Sequence, residues 1–387
     1  MAKPIPGAAE TLRYLQAHAV PFILLTNGGG KHEAERVADL SARLGIPLSV
    51  DNFVQSHTPF RELVQEPDDG GSPVVGEEVE NLRGKTVLVT GSDAAKAREI
   101  AEAYGFGPVV IPADILKAYP DVFPFDPLMK ERYAATARPL PESAPGSGLK
   151  VDAILVFNDP RDWALDVQLI TDLLLSRQGY LGTYSARNGD ASLPGRGWQR
   201  DGQPRVYFSN PDLFWSAHYH LPRLGQGAFQ AALAGAWAEI TATHAPGHAH
   251  PHADGGNSAT AVSAEPPVHL RRTVIGKPHR RTYRYAERVL AAHRASLLAA
   301  SGLGSAAAPA PSPSPLKTVY MVGDNPESDI RGANDYASPV GTEWASVLVR
   351  TGVWNPDRAG EPRHKPRMIV DDVAAAVNWA LKREGWR

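Results

Sequence analysis

Asp324 and Asp329 stand five residues apart in Met321-Val-Gly-Asp-Asn-Pro-Glu-Ser-Asp-Ile-Arg-Gly-Ala-Asn334, and their types and spacing point to chemistry. The apolar run from Val319 to Val322 predicts a short buried strand, and Gly323 frees the backbone to turn at its end. Asn325-Pro326 favours a turn between the two acids. Ile330, Gly332 and Ala333 predict a following helix whose small residues pack closely against a sheet. In α/β proteins, ligands gather at the carboxyl ends of strands. Two carboxylates there offer the oxygen donors that suit a hard cation such as Mg²⁺. The same residues also fit an ordinary strand–turn–helix with solvated acids.

Two other groups of residues follow apolar runs in the same way. Val20-Pro-Phe-Ile-Leu-Leu25 ends in Thr26-Asn27-Gly28-Gly29-Gly30, and Thr273-Val-Ile275 ends in Gly276-Lys277-Pro278. A hydroxyl with glycine-freed backbone N–H groups, a lysine and a carboxylate pair are together the parts of a phosphate site. The hydroxyl and amides would hold phosphoryl oxygens, the lysine would neutralise their charge, and a metal would polarise the transferring group. Taken singly, Thr26 also fits a cap of the following helix and Lys277 a solvated turn residue. Their shared position, each just past a strand, favours the combined reading.

The elements that must position these groups follow the rhythm of a parallel sheet. A helix from Ala8 to His18, the strand ending at Leu25, a helix from His32 to Leu44 and a strand over Val50 to Val54 open the chain. Residues 65–84 are acidic and read as a connection. The α/β rhythm restarts with Lys85-Thr-Val-Leu-Val89, a helix from Asp93 to Tyr104 and a strand from Pro108 to Ile111. Proline-rich residues 120–148 predict an irregular excursion. Val151 to Phe157 and Arg205 to Ser209 predict strands, and Leu165 to Leu175 a helix. The second strand runs into Asn210-Pro211-Asp212. The expected organisation is a core formed by residues 1–83 and 223–387, with an inserted α/β domain over 84–222. Helices over Gly227 to Ile240, Arg280 to Ala300 and Val373 to Leu381, and strands ending at Val322 and Val349, complete the core. Two low-complexity tracts, 243–267 and 301–315, predict disordered loops. The first carries His244, His248, His250 and His252, for which a flexible tract is preferred to a metal site.

Composition bounds the partners. With a net charge of −2, there is no electrostatic case for nucleic acid or an anionic membrane surface. The absence of cysteine excludes disulfides and Cys-ligated zinc. No apolar run reaches the ~18 residues of a membrane-spanning helix.

Thr26-Asn27, Gly276-Lys277-Pro278 and Gly323-Asp-Asn-Pro-Glu-Ser-Asp329 resemble motifs II, III and IV of the haloacid dehalogenase (HAD) superfamily. An α/β cap between the Thr and Lys motifs is similar to subfamily IIA. Phe157-Asn-Asp-Pro-Arg-Asp-Trp163 and Phe208-Ser-Asn-Pro-Asp-Leu-Phe-Trp215 further resemble the cat eye syndrome critical region protein 5-like branch. The resemblance implies a Rossmann-like core and a Mg²⁺-dependent phosphohydrolase acting on a small phosphorylated metabolite through an aspartyl-phosphate. It assigns phosphate binding to Thr26, Asn27 and Lys277, and catalytic support to Lys277 and Asp329. Metal ligation falls to Asp324 and Asp329, and substrate contact from the cap to Asn210 and Asp212. It leaves room for a homo-oligomer and points to mitochondria, otherwise to the cytoplasm. The family's first motif, a strand ending in Asp-x-Asp-Gly, is absent here. The expectation is that it lies upstream of Ile5-Pro6-Gly7 in a longer reading frame, and that this chain lacks the nucleophile and the core's first central strand. The rival expectation is a non-catalytic HAD-fold binding or scaffolding protein.

Overall fold

The computed structural model describes residues 4–65, 80–141, 148–215, 217, 219–243, 266–300 and 315–386. The chain divides into two compact units, one joining Met1–Pro59 to Ile275–Arg387 and the other spanning Phe60–Val274.

The first unit opens with α1 (Ala8–Ala17) after Gly7, whose φ of 79° is left-handed. The apolar run that follows becomes strand only over β1 (Leu24–Leu25), which pairs in parallel with β2 (Phe53–Val54). Between them runs α2 (Glu33–Leu44), ended by Gly45 at φ 63°. The expected strand over Val50 to Val54 is strand only in its second half. Its first half is a 3₁₀ turn, Val50–Asn52, because Ser49 accepts the Asp51 N–H and caps it.

The second unit is a five-stranded parallel sheet with helices. Its elements are β3 (Val87–Thr90), α3 (Ala94–Tyr104), β4 (Val109–Val110), α4 (Pro112–Ala118), α5 (Lys130–Thr136), β5 (Ala153–Val156), α6 (Trp163–Leu175) and β6 (Arg205–Phe208). The antiparallel hairpin β7 (Phe214–Trp215) and β8 (Arg223–Leu224), then α7 (Gln226–Thr243) and β9 (Arg272–Val274), complete it. The sheet order is β4-β3-β5-β6-β9. Every residue of β3 and β5 is buried, which is why both read as unbroken apolar runs rather than alternating ones. Phe229 and Leu233 of α7 pack with Leu169 and Leu173 of α6 in this unit's core.

Two features differ from the sequence reading. The unit extends beyond 84–222, because α7 joins its core and β9 pairs with β6. The excursion over 120–148 contains a regular helix, α5, whose brevity hid it among prolines.

The chain then returns to the first unit through α8 (Arg280–Ala300). β10 (Thr318–Gly323), α9 (Arg331–Asp335), β11 (Glu343–Val349), α10 (Pro356–Ala359), β12 (Met368–Val370) and α11 (Val373–Arg383) follow. The parallel sheet has the order β10-β11-β12. Tyr283, Ala286 and Leu290 form one face of α8 and pack on Val319, Met321 and Trp344, with Ile23 and Leu25 against the same cluster. Among the described residues, β1–β2 and β10–β12 are separate sheets. The four histidines of the low-complexity tract, and nearly all of 301–315, lie outside the described residues.

Candidate active site

Lys277 joins the two sheets of the first unit. Its ammonium donates to the Leu25 carbonyl at the end of β1, at 3.1 Å, and to Asp329 Oδ1 beyond β10, at 2.6 Å. The lysine and aspartate side chains are only 9% and 4% exposed, so neither is a solvated turn residue. A second link fixes the lysine's backbone. Asn27 Oδ1 accepts the Lys277 N–H at 2.8 Å, and Asn27 Nδ2 donates to the Lys277 carbonyl at 2.9 Å. One amide side chain thereby reads both polar groups of a residue 250 positions away.

Thr26 continues β1, donating its N–H to the Val54 carbonyl. Its Oγ1 accepts from the Gly28 N–H at 3.0 Å. It does not cap α2, which begins at Glu33 with His32 at the cap position. Thr26, Asn27 and Lys277 therefore meet at the carboxyl end of β1, although β9, the strand before Lys277, pairs within the other unit's sheet.

The Gly323–Asp329 loop is built around its own acids. Asp329 Oδ2 accepts the Asn325 N–H at 3.0 Å, and the Asn325 side chain accepts from Glu327 N. A single π-helical turn, Pro326–Ile330, then feeds α9. Gly323 is required here: a Cβ in its place would stand 2.2 Å from Asp329 Oδ2. Asp324 is held from the far side, where Val353 N donates to its Oδ2 at 2.6 Å and Trp354 N to its carbonyl at 3.0 Å. A Cβ on Gly352 would lie 2.0 Å from that same carboxylate oxygen. Burial pushes the Asp324 carboxyl above its ordinary range. The Val353 N–H opposes this, the Asp329 charge adds to it, and Lys277 opposes it more weakly.

Sequence reasoning missed the Gly352–Trp354 backbone and Tyr283. The buried Tyr283 hydroxyl lies 3.0 Å from the carbonyls of both Ser328 and Asp329, and its ring occupies the space a side chain at position 332 would need. Burial pushes its phenol far up, with the charges of Asp329 and Asp335 adding to the effect. The apolar face of α8 signalled Tyr283 as core, but nothing local signalled its hydroxyl's partners.

Two carboxylates, Asp324 half-buried and Asp329 buried with a lysine beside it, suit Mg²⁺ in one respect. That ion takes one or two carboxylates and completes its shell with waters and phosphate oxygens. Among the described residues no group of three or more His, Cys, Asp or Glu could hold a metal. The raised Asp324 carboxyl marks negative charge that a cation would stabilise.

Asn210 and Asp212 belong to the second unit. Asn210 Oδ1 accepts the Asp212 N–H at 2.7 Å, and Gln226 and Gln230 bind the Asn210 backbone. This is an Asx turn locked onto the start of α7.

Comparison with known proteins places the fold and the family. Residues 1–107 match a family described as haloacid dehalogenase-like hydrolase, and residues 274–376 one described as HAD-hydrolase-like. A mitochondrial hydrolase of Saccharomyces cerevisiae is 34% identical over 389 residues, covering 98% of this chain and 92% of that protein. A cardiolipin synthase (CMP-forming)/mitochondrial hydrolase fusion protein of Schizosaccharomyces pombe is 35% identical over 97% of this chain. The chain spans about half, 49%, of that fusion's length. Among solved structures, a p-nitrophenyl phosphatase from Archaeoglobus fulgidus aligns over 97% of this chain and 92% of its own, with a TM-score of 0.51 at 16% identity. A hypothetical protein from Pyrococcus horikoshii OT3 aligns over 98% and 94%, with a TM-score of 0.51 at 14% identity. Those two likenesses are of fold. The identity shared with the yeast hydrolase over nearly the whole of both chains, together with the two family matches, makes this chain a member of the haloacid dehalogenase-like hydrolase family.

Proposed function

We propose that this chain carries the phosphate and Mg²⁺ site of a phosphohydrolase acting on a small phosphate monoester. The observation that carries the reading is the buried Lys277 ammonium, fixed between the end of β1 and Asp329. A cation so placed stabilises phosphoryl charge without reorganising. Asn27 holds the lysine with its side chain and is assigned to phosphate binding by resemblance. The Thr26 hydroxyl donates to a phosphoryl oxygen while the Gly28 N–H supports it from behind. Asp324 would hold Mg²⁺, with Asp329 assisting while it anchors Lys277. When bound, the metal supplies Lewis-acid polarisation of the phosphoryl group. The cap residues Asn210 and Asp212 are assigned to substrate contact by resemblance.

The family's nucleophile completes the reaction. An aspartate oxygen bonds to phosphorus as the ester O–P bond breaks, and a second aspartate gives its proton to the leaving oxygen. Water, deprotonated by that second carboxylate, then attacks phosphorus and releases orthophosphate. No Asp-x-Asp pair occurs in this sequence, so the chain by itself is assigned no turnover. That same absence favours the second reading, a HAD-fold binding or scaffolding protein without catalysis. The relatives named mitochondrial hydrolases support a mitochondrial site of action. The fusion with a lipid synthase in one of them adds a lipid-borne phosphate monoester to the substrates worth testing.

The test is orthophosphate release, with Mg²⁺, from a broad panel of phosphate monoesters. It compares this chain with one extended before Ile5 by an apolar strand ending in Asp-x-Asp-Gly. Turnover in the extended chain alone is expected. Silence of both across the panel favours the binding protein.

A further inference from the structure

A cavity of about 930 Å³, open to solvent, lies wholly within the Phe60–Val274 unit, and its lining includes the exposed Arg200, Arg271, Arg272 and Glu80 and the half-buried Arg205. It sits at the amino ends of β6 and β9, which start at Arg205 and Arg272 and run parallel. The Asn210-Pro-Asp loop leaves the opposite end of β6, three strand steps or about 10 Å further on.

The loop before β6 is built to hold this lining. Trp198 is buried edge-on against Trp237, with ring centroids 5.8 Å apart. The next residue, Gln199, has a φ of 51°, in the left-handed region that favours glycine. It is kept there by Arg271: Gln199 Oε1 accepts the Arg271 N–H at 2.7 Å and Gln199 Nε2 donates to the Arg271 carbonyl at 3.1 Å. Arg271 Nη1 donates in turn to the Gln199 carbonyl at 3.1 Å. Non-glycine residues persist in such conformations where the surroundings fix them, and they cluster at ligand clamps. The result brings Arg200 from the loop and Arg271 and Arg272 from the entry to β9 onto one cavity.

Arg200 and Arg272 are the two guanidiniums of this lining available to a ligand. Neither Arg200 nor Arg272 makes an ion pair among the described residues, and both are exposed. A guanidinium fork matches phosphate oxygens two at a time. Glu80, which accepts from the Tyr207 hydroxyl at 3.2 Å, adds one acceptor suited to a ligand hydroxyl. The volume lies within the range of small-molecule sites.

We propose that this cavity binds a soluble, phosphorylated, hydroxyl-bearing small molecule of nucleotide size, its phosphates on Arg200 and Arg272 and a hydroxyl on Glu80. The site uses no residue of the Lys277 site and does not depend on the function proposed for it.

Isothermal titration of the full chain with ADP and with inorganic pyrophosphate, without Mg²⁺, tests this. Both probes should bind, and Arg200→Ala/Arg272→Ala should weaken both by about tenfold or more, the loss expected for charge-assisted hydrogen bonds. Glu80→Gln should weaken ADP alone. Lys85→Ala/Lys117→Ala, which removes the same charge elsewhere in the unit, should leave binding unchanged. Should the double alanine variant fail to fold, Arg200→Lys/Arg272→Lys keeps the charge without the fork and should still lose affinity. Failure of both probes to bind, equal loss in the lysine control, or full affinity in a folded arginine variant would each overturn the proposal. Binding to phosphatidylglycerol vesicles but to neither probe would overturn it as well.

Discussion

Lys277 owes its position to partners far apart in the chain: Leu25, Asn27 and Asp329. Its ion pair with Asp329 is almost wholly buried, and removing one member leaves the other's charge without compensation. Lys277→Met is therefore expected to cost about 3–5 kcal/mol of stability, the usual loss when a buried pair is broken. Adding Asp329→Asn in the same chain should recover part of that loss. Urea denaturation of the single and double variants decides it, and additive losses would mean that the two residues do not interact as described. Asp324, by contrast, is positioned mostly by backbone, and the close approach of Gly352 leaves no room for a side chain there. The two acids thus differ in setting: Asp329 is tied to the lysine, while burial disfavours the charged form of Asp324.

The helix α6 carries a buried acid the proposed chemistry does not use. Burial pushes the Asp166 carboxyl from its ordinary 3.8 up to about 7, against the hydrogen bond from the Thr90 hydroxyl and with the charge of Asp162 adding to it. The native state thus keeps a proton that the unfolded chain has already released. The stability linked to it is fully present below about pH 4 and is lost as pH rises through about 7, at roughly 1.4 kcal/mol per pH unit inside that window. Asp166→Asn should flatten the fall in melting temperature between pH 5 and 8 seen with the native residue. An unchanged slope would place the titration elsewhere. The elements themselves were largely legible in the sequence. β5, and β3 and β6 apart from Thr90 and Arg205, are apolar runs because both faces of their sheet are covered, and α2 ends at Leu44 as the sequence predicts. What stayed hidden was long-range: β9 looks like the strand leading into Lys277, yet it pairs with β6. Likewise the 250-residue link from Asn27 to Lys277 leaves no local trace.

At the scale of the molecule, the first unit holds its site with uneven support. β11 is paired on both sides at Val347 and Leu348, whereas β1 is two residues long and, among the described residues, paired on one side only. Amides protected by short, single-sided pairing open at low free energy. Hydrogen exchange should therefore protect Val347 to Val349 far more than Leu24 and Leu25, and the reverse order would contradict this topology. Adding a strand that bears the Asp-x-Asp pair should raise protection at Leu24, Leu25 and β10 if it enters between the two sheets. The proposed chemistry depends above all on Asp324. The most direct measurement is Mg²⁺-dependent phosphomonoester turnover by the extended chain with and without Asp324→Asn. Loss of turnover to background in the Asn variant, with its fold intact by circular dichroism, is the predicted result. Turnover that is unchanged, and unchanged in its response to Mg²⁺, would contradict the assignment of this loop as a metal and phosphate site.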